Sequence, residues 1–257
     1  MNDRRTQTAI IPPQAHDVTT SGPDWSVPYQ DMQHQVDEWK RLGLAWASRN
    51  PTTAEETDAM WRKGYGIPKT ELIRSFLGGM PADMSWLEVG CGGGGHMRTM
   101  TAAGWHNIRG IDVSTDAMAL APEGRTGYGD AADIPFPDKA FSGITTSGTL
   151  MAMVPEERLM IALREIDRVA TVALLAFETW QPVPRMLEYG AGELLPAAIL
   201  RPWGETLAVW MKPMGWTMAH QQLLFGAPPY TVTPMSVSLL LRMPRITETN
   251  PQGIWKM

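Results

Sequence analysis

The stretch Trp86–His96 limits what this chain can fold into more than any other. A short apolar run ends in glycines at 90, 92, 93, 94 and 95, and helix-forming residues follow. Glycine lacks a Cβ, so the backbone can turn sharply there and let a ligand lie against bare peptide groups. Such a turn, between a parallel strand and a helix, is where open α/β sheets take nucleotide-like cofactors. The surrounding sequence has the matching rhythm. Strands are expected at Ser85–Val89, Asn107–Asp112, Thr126–Gly129, Phe141–Thr146 and Thr171–Thr179. Helices are expected between them at Gly94–Ala103, Thr115–Leu120 and Pro155–Val169. Alternation of this kind predicts a parallel sheet flanked by helices.

The remainder divides by composition. Residues 1–30 carry Pro12, Pro13, Pro23 and Pro28 among polar groups and read as an extended arm. Residues 31–82 carry apolar residues at helical spacing and read as a helical cap, with Thr52 or Thr53 capping its second helix. The sheet domain is expected over 83–257. Within it, residues 180–215, rich in Pro, Trp, Met and Leu, read as a helical insertion. Trp216–Phe225 and Ser236–Met243 read as two further strands.

Several function classes are disfavoured. Net charge is −5 without a run of Lys or Arg, which argues against nucleic acid or an anionic membrane as the main partner. The lone cysteine, Cys91, rules out an internal disulfide, and the five histidines lack metal-site spacing, so no metal is expected. Transmembrane and signal segments are absent from the pattern, which makes the cytoplasm the expected compartment. An N-terminal arm can embrace a second copy, so a homo-oligomer is considered.

The glycines alone do not choose a cofactor. Gly90, Gly92 and Gly95 satisfy G-x-G-x-x-G, the dinucleotide fingerprint. Glu88 with Gly90, Gly92 and Gly94 equally satisfies E-x-G-x-G-x-G. Asp112 ends the second strand, where a carboxylate accepts from ribose hydroxyls; that suits NAD and S-adenosylmethionine alike. The segment Gly129–Phe136 is more discriminating. Asp130 can accept from an adenine amino group, the backbone N–H of Ala131 or Ala132 can donate to a ring nitrogen, and Ile134 and Phe136 can cover the ring.

With these residues together, residues 83–180 resemble a class I S-adenosylmethionine-dependent methyltransferase of the broad G-D-A-x-x-L-P-F group. Leu87–Gly94 is similar to its glycine motif, Gly110–Ser114 to its ribose acid, and Ala162–Val169 to the helix before its fifth strand. Two departures stand out: Ser142 follows Phe141 where Asp is common, and the usual Lys-Pro-Gly-Gly turn before strand five is missing. The resemblance implies a Rossmann-like seven-stranded α/β sheet in the order 3-2-1-4-5-7-6, with strand seven antiparallel. It implies cofactor contacts at Glu88, Gly90, Gly92, Gly94, Asp112, Val113, Asp130, Ala131, Ala132, Thr146 and Ser147, with S-adenosylhomocysteine as product.

Catalytic candidates are His96, just after the turn; Glu178, near the carboxyl end of strand five; and Tyr65, able to close over the cofactor and bind its carboxylate. Each also has a purely structural reading. Trp180, Tyr189 and Trp203 are candidates for the acceptor pocket. The function expected is methyl transfer to O, N or C of a small or medium-sized molecule. An NAD(P)-dependent oxidoreductase and a non-catalytic binding module remain the alternatives.

Overall fold

The computed structural model describes residues 32–182, 184–188, 197–226 and 233–242. The expected arm at 1–30, and any dimer contact through it, lies outside the described residues. So does Tyr189.

The chain opens with α1 (Met32–Ala47), α2 (Ala54–Tyr65) and α3 (Lys69–Leu77). Thr53 caps α2 in a reciprocal capping box with Glu56, whose carboxyl is held below its usual range by hydrogen bonds from Thr52 and Thr53. Pro68 gives α3 no side-chain cap, and Asp58 of α2 supplies one, accepting from the Thr70 N–H at 2.9 Å and from its hydroxyl. The two helices are thereby fixed to each other. In α1 the buried positions are Val36, Gly43 and Ala47. Gly43 lies so close to Ser114 that any side chain there would collide with it.

The sheet follows as the alternation predicts. Its first half is β1 (Trp86–Val89), α4 (Gly95–Ala103), β2 (Ile108–Asp112), α5 (Thr115–Met118) and β3 (Thr126–Tyr128). Then come β4 (Phe141–Ser147), α6 (Glu156–Val169) and β5 (Ala170–Thr179). After β5 the chain forms a small antiparallel ribbon, β6 (Arg185–Glu188) with β7 (Ala197–Leu200), and then α7 (Trp203–Met211). The expectation of helices alone in this insertion is corrected: the described residues hold a ribbon as well as a helix, as the β-branched and apolar run Ala197–Leu200 permits. The chain ends in β8 (Trp216–Leu224) and β9 (Met235–Arg242).

Seven strands form one sheet in the order β3-β2-β1-β4-β5-β9-β8. All neighbours are parallel except β9, which runs antiparallel to β5 and to β8. A β8–β9 hairpin requires this, because its second strand must run back along the first. In sheet-strand numbering this is 3-2-1-4-5-7-6, as the resemblance implied. A dinucleotide-binding sheet instead has order 3-2-1-4-5-6. The order reverses between β1 and β4, which places a ligand crevice at the carboxyl ends of those strands.

Alternation along the strands splits the core in two. Leu87, Val89, Ile111, Ile144 and Leu174 pack with α6, while Trp86, Leu175 and Phe177 pack with α2, α3 and α4. The Trp86 ring lies over Gly143 on the neighbouring strand, where a Cβ would sit 2.6 Å from it. Among the described residues no helix is long and apolar enough to cross a membrane.

Candidate functional site

The turn after β1 is built from backbone conformations that favour glycine. Gly90, Gly92 and Gly94 have φ of +74°, +47° and +74°. Their reasons differ. A side chain at Gly90 would strike Thr149, and one at Gly94 would strike Ala121 and Pro122. At Gly92 nothing lies within 4 Å of the Cβ position. That open space is a cavity of about 450 Å³, reached from the carboxyl ends of β1, β2 and β4.

Asp112 faces this space across the turn. Its Oδ2 accepts from the Gly92 N–H and its Oδ1 from the Ser114 N–H, both at 2.8 Å. Each oxygen keeps acceptor capacity for a diol. Burial raises its pKa, opposed by the N–H groups of Ser114, Gly92 and Val113. Val113 and Ala131 also line the cavity.

The wall between β1 and β4 is polar and enclosed. Lys69, the first residue of α3, is 4% exposed and points its Nζ to Ser147 Oγ at 3.1 Å. The ammonium lies 5.0 Å from the Trp61 ring centre and 4.9 Å from that of Phe177. One of its three N–H bonds is thus used, and no carboxylate lies within salt-bridge distance among the described residues. Beside it, Glu88 is 2% exposed and its Oε2 has no partner. Burial lowers the Lys69 pKa and raises that of Glu88, and each charge partly offsets the other's shift.

His96 completes this wall. Its Nε2 lies 2.8 Å from Thr145 Oγ1, while the Thr145 hydroxyl donates its only proton to the Leu175 carbonyl at 2.9 Å. The threonine oxygen must therefore accept from His96. That assigns the proton to Nε2 and leaves Nδ1 as a bare acceptor, buried without a partner. Burial, and secondarily the Lys69 charge, hold its pKa well below the usual histidine range, so the ring is neutral.

The structure thus gathers Glu88, Gly90, Gly92, His96, Asp112, Val113, Asp130, Ala131 and Ser147 around one cavity. Other expected residues are elsewhere. Thr146 points to the opposite sheet face, where its hydroxyl donates to Glu178 Oε1 at 2.9 Å. Ser147, one residue on, faces the cavity, as alternation along a strand requires. Glu178 is fully buried and also accepts from the N–H groups of Leu150 and Met151, at 3.2 and 3.1 Å. It anchors the turn after β4 and does not line the cavity, which corrects its reading as a base.

Tyr65 donates its hydroxyl to the Thr233 carbonyl at 2.9 Å and packs at a tilt against Trp61, and it does not line the cavity. The Ala132 N–H is occupied by Asp130 Oδ1 at 2.9 Å. Ile134 and Phe136 turn into the core beneath the loop rather than toward a ligand. Trp203 is core, and Trp180 packs edge-on against Phe225.

Lys69, Trp61 and Arg158 line the cavity and were not expected. Lys69 had one signal: it shares the helix face of Leu72, Ile73 and Phe76, a cation on an apolar stripe.

The fold is one shared with solved methyltransferase structures. Residues 87–172 match the family model described as methyltransferase domain. The match runs from β1 into β5, within the parallel part of the sheet. Among curated proteins none matches the chain.

Solved structures are similar in fold at low identity. One is the 1,6-didemethyltoxoflavin-N1-methyltransferase of Burkholderia thailandensis, with bound 1,6-didemethyltoxoflavin and S-adenosylhomocysteine. It is 14% identical at a TM-score of 0.60, over 82% of this chain and 89% of that one. Another is magnesium protoporphyrin IX methyltransferase from Synechocystis PCC 6803, with bound S-adenosylhomocysteine. It is 13% identical at 0.59, over 83% and 100%. An S-adenosylmethionine-dependent methyltransferase from Methanosarcina mazei is 14% identical at 0.55, over 67% and 97%.

Proposed function

We propose that the protein transfers a methyl group from S-adenosylmethionine to O, N or C of a small or medium-sized molecule in the cytoplasm. The observation that carries this reading is the enclosed wall of Lys69 and Glu88. A buried ammonium with unused N–H bonds stands beside a buried carboxylate oxygen with no partner. Each is costly to leave unmatched. A zwitterionic amino-acid head group matches both, its carboxylate at Lys69 and its ammonium at Glu88. Gly92 and Asp112 lie next along the cavity, suited to close backbone approach and to a ribose diol. Asp130 and Ala131 follow at the adenine end. A nicotinamide dinucleotide has no such head group.

When bound, the cofactor supplies an activated methyl on a sulfonium centre, and S-adenosylhomocysteine is the leaving group. The chain's own task is alignment and exclusion of water, and positioning of this kind contributes roughly 7–11 kcal/mol. His96, neutral and with Nδ1 bare, accepts a hydrogen bond from a donor in the cavity; its low pKa makes it a weak proton acceptor. We assign α1–α3 the role of a cap over the crevice. Trp61, Met60, Leu200 and Met235 add apolar surface to the cavity lining, which suits an organic acceptor.

Calorimetric titration of the full chain with S-adenosylmethionine, S-adenosylhomocysteine, NAD and NADP tests the donor assignment. The adenosyl ligands should bind and the dinucleotides should not; the reverse refutes it. Incubation with S-adenosylmethionine and a panel of small molecules, read by mass for an added methyl, tests the acceptor class.

A further inference from the structure

Asp130, the acid at the adenine end, is gripped by a buried arginine. Arg158 donates from one terminal nitrogen to both carboxylate oxygens, at 2.6 and 2.7 Å. Arg158 is 4% exposed and sits in the first turn of α6, whose amino-terminal end disfavours a cation. Its Nε is buried without a partner. The arginine is therefore held in an unfavourable place on two counts, and the pair with Asp130 is what offsets them. Both residues line the cavity.

The pair leaves Asp130 little freedom. A carboxylate offers about four acceptor positions. Arg158 takes one on each oxygen, and the Ala132 N–H takes a second on Oδ1 at 2.9 Å. The remaining position is on Oδ2. A ring amino group can donate to it, whereas a ring carbonyl at the same place would set lone pair against lone pair.

We infer that Arg158 is a positioning residue that locks Asp130 as a single fixed acceptor, so that the site selects a 6-aminopurine nucleoside over its 6-oxo counterpart. This rests on the reading that the cavity holds the adenosyl group with adenine at Asp130. Without Arg158, Asp130 can rotate and admit a water that donates to a carbonyl, and the selection falls.

The test is calorimetric titration of the full chain with S-adenosylhomocysteine and with S-inosylhomocysteine. The wild type should prefer the adenosyl ligand by about 100-fold or more, as sites built around one hydrogen bond do. Arg158→Met should lower that ratio at least tenfold, and Arg158→Lys, which keeps a cation near Asp130, should restore part of it. A general loosening of the fold would weaken both ligands and leave the ratio unchanged. If Arg158→Met does not fold, Arg158→Gln carries the same comparison. A wild-type ratio in the variants overturns the inference alone. Equal binding of both ligands by the wild type also overturns the adenine reading. Failure of the wild type to bind S-adenosylhomocysteine overturns the cofactor reading and the inference with it.

Discussion

Replacing Glu178 with alanine distinguishes an anchor from a base. Its carboxylate accepts from the Thr146 hydroxyl and from the N–H groups of Leu150 and Met151, all buried. The hydroxyl can turn to another acceptor, but the two backbone donors cannot. Leaving each unsatisfied costs about 1–3 kcal/mol, or about 2–6 kcal/mol together. Removal of a buried carboxylate returns part of this, so a net loss of about 3 kcal/mol is expected. With a urea slope near 2–3 kcal/mol/M, the unfolding midpoint should fall by about 1 M or more. The assay is equilibrium urea denaturation, followed by fluorescence, beside a measurement of S-adenosylhomocysteine affinity. An unchanged midpoint and affinity, with methyl transfer abolished, would refute the anchoring argument and make Glu178 a base.

Glu178 also predicts a pH dependence. Burial raises its folded pKa to about 7, above the ordinary value of 4.5, so the folded state binds the proton more tightly. Its stabilising contribution is fully present below about pH 4.5 and is lost as pH rises through 7. Urea midpoints of the wild type against Glu178→Gln between pH 5 and 8 should converge or cross in that direction. Gly92→Val should abolish S-adenosylhomocysteine binding by filling the cavity. Its positive φ adds a stability cost of about 1–2 kcal/mol, readable as a lower midpoint. Lys69→Met should weaken S-adenosylhomocysteine at least tenfold by calorimetry without lowering the melting temperature, since it removes a buried cation from between Trp61 and Phe177. Unchanged affinity there would remove the head-group reading.

The sheet was legible because period and punctuation agreed. Trp86–Val89 is apolar on both faces apart from Glu88, and glycine marks its end. The residues of Thr171–Thr179 are nearly continuous in apolar character, as a central strand must be. Asp112 was legible because a strand end fixes where its side chain projects. Thr146 and Ser147 were both named because the sequence does not say which of two adjacent residues faces a ligand; the register of β4 decides it. Glu178 and Tyr65 were misread for a related reason. Their partners, Leu150, Met151 and Thr233, are brought close only by tertiary folding. Lys69 was invisible to motif reasoning because α3 lies outside every cofactor motif and meets Ser147 only across the packed domain.

The cavity wall is drawn from stretches far apart in the chain: Val36–Lys69, Glu88–Arg158 and Thr179–Met235. The family match ends at Leu87 and Val172, so it encloses the middle stretch and neither of the others. On the proposed reading the donor itself is held from two blocks, Lys69 from before the match and Glu88, Asp112 and Asp130 from within it, and these meet only in space. Exchanging the helices before β1 should therefore cost donor affinity through the loss of Lys69, whereas exchanging the ribbon after β5 should leave the donor's charged partners in place.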